Sequence, residues 1–206
     1  MKQRYLRRNL EVMLIGAAIL AVAPGRVCAQ STQPVPADGT ASAKVDVKLL
    51  VIEDLKHTRE KIVSLAQAMP EDKYSWTPGP GVRSVGEVYM HIAKTNFTFP
   101  TIWGMAPPPA KDLDRTPYPK KERVIQLLNL SFDYLQDRIE KIPDSQLSQS
   151  RDFFGQQIPL AAILIIIAGH EHEHLGQSIA YARMNGVVPP WSAPQKPAVT
   201  DQKPNQ

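Results

Sequence analysis

The run from Leu160 to Ala168 is apolar on every side and leads directly into Gly169-His170-Glu171-His172-Glu173-His174-Leu175-Gly176-Gln177. No proline interrupts the stretch between Pro159, a residue suited to a first helical turn, and Asn185-Gly186, a good C-terminal stop. One long helix is therefore predicted from about Pro159 to Asn185. Its apolar part is too short for the roughly 20 residues that span a bilayer. An all-round apolar segment of this length should be central and buried on most faces. It cannot be stable alone, so the chain must supply other elements to cover it.

Three further segments have the right pattern. Leu49, Ile52, Leu55, Ile62, Leu65 and Met69 recur at helical spacing over Val45 to Met69, and Pro70 stops that run. After Pro78-Gly79-Pro80-Gly81, Ser84 with Glu87 three residues on forms a capping-box pattern. It opens a helix carrying Val85, Val88, His91, Ile92 and Thr95 that ends before Pro100. A loop with Pro107-Pro108-Pro109 precedes a third helix over Lys120 to Ile142, whose stripe is Val124, Leu127, Leu128, Phe132, Leu135 and Ile139. Ser148 to Gln157 reads as a short extended excursion around Phe153-Phe154-Gly155. The expected fold is all-α, a four-helix bundle over residues 45–191.

The ends read differently. Residues 1–29 have a basic start, an apolar stretch from Val12 to Ala23 and small residues before a cleavage point after Ala29, the pattern of a secretory signal peptide. The expected location is periplasmic or secreted, with no stable membrane insertion after cleavage. Residues 30–44 read as a flexible linker and 192–206 as a disordered tail. The signal holds five of the 24 Lys and Arg and one of the 20 Asp and Glu, which leaves 19 of each. The basic balance thus belongs to export, and no nucleic-acid partner is expected. Cys28, the only cysteine, leaves with the signal, so the mature chain has neither disulfide nor thiolate.

Three of the five histidines crowd into His170–His174. His170 and His174 lie about 40° apart around a helix axis and project from one face, the geometry of a two-histidine metal clamp. Ile163, Ile166, Ile167, Gln177 and Tyr181 fall on the same side, while His172 points nearly the opposite way and His57 reads as surface. On the second helix Glu87, His91, Thr95 and Thr98 share a face. If the two faces meet, three imidazoles converge on a divalent metal, Zn first, with Ni, Fe, Co or Mn as alternatives. Spacing alone does not select His91. Glu87, Glu171 and Gln177 are the candidates for holding a ring or a water in orientation. His170-Glu171-His172-Glu173-His174 also matches the His-Glu-x-x-His pattern of zinc peptidases. That reading lacks its downstream ligand: Gln177 and Ala180 stand at the extended motif's Gly and His positions, and Asp201 is the only later acid.

Three stretches together resemble the DinB-like (damage-inducible) superfamily: Met69 to Pro78, Val82 to Ala93, and His170 to Gln177 followed by Tyr181 to Gly186 and Pro189-Pro190. The resemblance covers about Val47 to Trp191. It implies a four-helix bundle in which one second-helix histidine and two fourth-helix histidines bind a metal, here His91, His170 and His174. Many members carry Arg where this chain has Leu175, so any function of that Arg is in doubt here. Some members are metal-dependent thiol transferases, whose thiol cofactors are cytosolic and sit awkwardly with an exported chain. The expected function is a metal-dependent enzyme, hydrolase or thiol-transferase-like, acting on a small-molecule substrate. The alternative is a non-catalytic bundle that binds metal or a small molecule, and a homodimer is left open.

Overall fold

A computed structural model describes residues 45–106, 108, 113 and 120–193. The expected signal peptide and linker, most of the Pro107–Pro109 loop and nearly all of the tail lie outside the described residues. Four helices run α1 (Val47–Ala68), α2 (Val85–Thr98), α3 (Lys121–Glu140) and α4 (Leu160–Met184). A two-stranded antiparallel hairpin, β1 (Ser150–Phe153) and β2 (Gln156–Pro159), stands between α3 and α4. Among the described residues no helix is long and apolar enough to cross a membrane.

Local chemistry accounts for the helix ends. The Asp46 side chain accepts from Leu49 N–H and caps α1. Lys121 donates to the Gln67 and Met69 carbonyls, giving the end of α1 a cation as well as hydrogen bonds. At α2 the capping box forms in full: Ser84 N–H donates to Glu87 Oε2, and Glu87 N–H donates to Ser84 Oγ. α4 closes in a Schellman motif, with Gly186 at φ 73°, Gly186 N–H donating to Arg183 O and Val187 N–H to Ala182 O.

The helices pack in the ring order α4, α1, α3, α2. Contacts are extensive between α1 and α4, α1 and α3, and α2 and α3, and sparse where α2 meets α4 to close the ring. Leu55, Ile62, Leu65, Ile92, Leu128, Phe132, Leu135, Ile163, Leu164 and Ile167 are fully buried between them. Each such side chain contributes about 1.5–3 kcal/mol over an exposed one. The loop after α1 is pinned by Tyr74, which is buried against Tyr89 and donates its own hydroxyl to Ala66 O at 2.7 Å.

Two sequence expectations need correction. Leu49 does not join the α1 stripe but is 54% exposed. α4 is not covered on most faces along its apolar run: Leu160, Ile163, Leu164 and Ile167 are buried, while Ile165 and Ile166 are 59% and 42% exposed. α4 is packed closely by α1, while Ile166 lines a cleft at the sparse α2–α4 seam; Ile165 lies outside that cleft, on the side of α4 that carries the half-exposed His172.

Candidate metal centre

The open seam holds the histidines. α2 carries His91 two turns past its N-cap, and α4 carries His170 and His174 one turn apart. One nitrogen from each of the three rings lies within 4.8 Å of the others. His91 Nε2 and His170 Nε2 are 3.2 Å apart. A tetrahedral zinc about 2.0–2.1 Å from each nitrogen would set neighbouring nitrogens about 3.3 Å apart, so this separation matches the donor set. The ring centroids are 5.2 Å apart for His91–His170, 4.7 Å for His91–His174 and 4.5 Å for His170–His174. Among the described residues, no further His, Cys, Asp or Glu joins the group.

The outward nitrogens of the α4 pair are held by neighbours. His170 Nδ1–H donates to Glu171 Oε1 at 3.1 Å, and His174 Nδ1–H donates to Gln177 Oε1 at 2.9 Å. Each bond places the ring proton on Nδ1 and leaves Nε2 with its lone pair facing the cluster. Gln177 is itself held, because its Nε2–H donates to the Tyr181 hydroxyl at 3.0 Å. Tyr181 meets the edge of Trp76 at 5.3 Å, so the loop after α1 braces the His174 ring through two intermediaries.

The electrostatics favour neutral rings. Burial pushes His91 down to about 4, reinforced by the Arg83 charge and by the neighbouring rings. Burial also lowers His174, against the opposing effect of its bond to Gln177. Neutral imidazole is the form that binds a metal, so no proton has to leave these two sites near pH 7. Glu171 is fully buried and burial raises its pKa, while its Oε2 has no hydrogen-bond partner.

The remaining sequence candidates fall elsewhere. Glu87 carries the capping box at the start of α2 and makes no hydrogen bond to a histidine ring. His172 leaves the cluster as helix geometry required. Its Nε2–H donates to both Asp54 carboxylate oxygens at 2.9 Å, with Thr58 Oγ1 at 3.3 Å, across the α1–α4 seam. His57 is exposed, and Leu175 is a buried core residue. Sequence reasoning left out the cleft walls: Phe99, which meets His170 edge-on at 5.2 Å, and Phe153 and Phe154 from the hairpin. The Phe-Phe-Gly tip was a visible signal, but nothing local placed it over the histidines. The cleft measures about 580 Å³ and is lined by His91, Thr95, Phe99, Phe153, Phe154, Ile166, Gly169, His170 and Glu173.

A DinB superfamily profile matches residues 54–178, which include all three clustered histidines. The chain belongs to the DinB superfamily. Solved structures with DinB folds align over most of their own length. A DinB-like protein from Bacillus cereus is 17% identical with a TM-score of 0.58, covering 68% of this chain and 93% of that one. A DinB-like protein from Bacillus subtilis is 21% identical with a TM-score of 0.55, again covering 68% and 93%. YfiT from Bacillus subtilis is 16% identical with a TM-score of 0.54, covering 75% of this chain and 94% of YfiT. YfiT is described as a probable metal-dependent hydrolase with an unusual four-helix bundle topology. At these identities the likeness establishes the DinB four-helix fold. None of the curated proteins matches the chain. The three converging imidazoles form a donor set that could hold a divalent metal.

Proposed function

We propose that this DinB protein is a metal-dependent enzyme, hydrolytic in type, that works on a small molecule in the α2–α4 cleft. The observation that carries the reading is the convergence of three imidazole nitrogens at the mouth of an open cleft, with the outer nitrogens of two rings tied to Glu171 and Gln177. His91, His170 and His174 would hold the cation, and zinc suits three neutral nitrogens with a position left for a further ligand. When bound, such a cation supplies a Lewis acid and lowers the pKa of water toward neutrality.

The chain's own groups have separable tasks. Glu171 and Gln177 orient the α4 rings. Phe99, Phe153 and Ile166 keep the floor and wall of the cleft apolar, which strengthens polar interactions inside it. Glu173 lines the same cleft and is exposed, so its carboxylate is the acidic group within reach of a molecule bound there. Export to the periplasm or beyond is part of the proposal, on the strength of the N-terminal pattern alone.

Elemental analysis of untagged protein tests the reading. Zinc, or another divalent metal, should be bound at one per chain and be lost in His174→Ala. Absence of stoichiometric metal overturns it. The cobalt-substituted protein separates enzyme from passive module: a spectrum that shifts on adding small anions indicates an exchangeable site, and a spectrum indifferent to them favours a closed, non-catalytic one.

A further inference from the structure

We propose that Phe154 selects the substrate: from the hairpin tip it takes the flat apolar end of a small molecule whose polar head reaches the three histidines. This rests on the metal-centre reading above. The ligand class is a neutral aromatic or similarly bulky apolar body carrying a metal-binding head, such as an acyl or amide group.

The first reason is the backbone. β1 and β2 are joined by the two-residue loop Phe154-Gly155, with φ of 52° and 83°. Positive φ at both positions marks the tight hairpin turn in which Asn-Gly and Asp-Gly are favoured. Gly155 fits that turn. Phe154 does not, because the left-handed region costs an L-residue about 1–2 kcal/mol, and only short polar side chains recover part of it locally. The turn could be made more stably with Asn at this position.

The second reason is exposure. Phe154 is 87% exposed, so its ring gains almost nothing from the fold in return for that strain. A strained residue with an unburied aromatic ring is typical of a binding element.

The third reason is place. Phe154 lines the same cleft as His91 and His170. Its ring meets Phe153 edge-on at 4.7 Å, and Phe99 makes the same contact with His170 at 5.2 Å. Aromatic surfaces therefore stand both at the hairpin and beside a proposed ligand ring, with exposed Ile166 also in the lining. At about 580 Å³ the cleft lies within the range of about 300–1,000 Å³ common to small-molecule sites. Glu173 is the single acidic residue of the lining, and the hairpin contributes only Phe153 and Phe154 to it.

The test uses two hydroxamates that share one metal-binding head. The full chain, loaded with zinc, is titrated calorimetrically with acetohydroxamate and benzohydroxamate, alongside Phe154→Asn and Phe154→Tyr. The wild type should prefer benzohydroxamate by about tenfold, the effect of burying one ring face. Phe154→Asn should lose most of that preference while acetohydroxamate affinity and zinc content stay unchanged. Its melting temperature should equal or exceed that of the wild type, since Asn suits the turn. Phe154→Tyr should keep the preference. An unchanged preference in Phe154→Asn overturns the proposal, as does a wild type that holds zinc and shows no preference. A drop in melting temperature with parallel loss of both ligands assigns Phe154 a structural role and also overturns it. A wild type that takes up no zinc overturns the metal-centre reading with it.

Discussion

His172 lies between His170 and His174 on α4, yet it faces a different seam. Across the close α1–α4 seam its nitrogen donates to the Asp54 carboxylate beside Thr58, and the polar group is satisfied within the protein. Across the sparse α2–α4 seam, His170 and His174 use Nδ1 on Glu171 and Gln177 and turn their other nitrogens toward His91, so three nitrogens converge. The first arrangement is complete as a piece of protein. The second places like groups together, in a donor set that could hold a divalent cation. Where helices close tightly, polar side chains serve the fold. Where the ring of helices stays open, they are available for chemistry.

The largest test of this contrast is paired substitution. His174→Ala should abolish stoichiometric metal binding, measured by elemental analysis, and His172→Ala should retain it in full. Metal loss from both variants would break the distinction. The apolar side of the comparison comes next. Ile167→Ala, fully buried, should cost about 2–5 kcal/mol in denaturant unfolding. Ile166→Ala, 42% exposed toward the cleft, should stay within about 1 kcal/mol of wild type.

Bracing of the open seam is tested by Gln177→Ala. Loss of the bond to His174 Nδ1 should weaken metal affinity by about 10–100-fold, read by competition with a chelator, with little change in melting temperature. Proton linkage gives a smaller signal. In metal-free protein His91 is held down at about 4 and His174 is also lowered. The unfolded chain therefore binds more protons than the folded one below the ordinary histidine value of about 6.5. Stability should be level above about pH 6.5 and fall as pH drops from there toward 4. In His91→Gln that fall should shrink, and a pH profile identical to wild type would contradict the burial of His91. The smallest effect belongs to the closed seam: Asp54→Asn should cost about 1 kcal/mol or less, because both partners are substantially exposed.

Much of the scaffold was legible from local pattern. The proline breaks, the Ser84–Glu87 capping box and the Asn185-Gly186 stop all appear where the sequence places them, because each acts over three or four residues. The separation of His172 from His170 and His174 was equally legible, since it follows from helical rotation alone. The exposure of Ile166 was not, because an apolar run looks the same whether or not the neighbouring helix closes over it. Glu87 shows the same limit from the other side. Its position on the His91 face made it a candidate for the site, but the capping interaction three residues back claimed its carboxylate.

The sequence by itself determined the four helices, their ends and the i, i+4 pair on α4, all consequences of spacing and backbone chemistry. It did not determine that His91 meets that pair, that the hairpin stands over them, or that the α2–α4 seam stays open. Those depend on how helices distant in sequence pack, and packing answers to the summed shape and burial of many side chains. The candidate metal centre lies where two such outcomes meet.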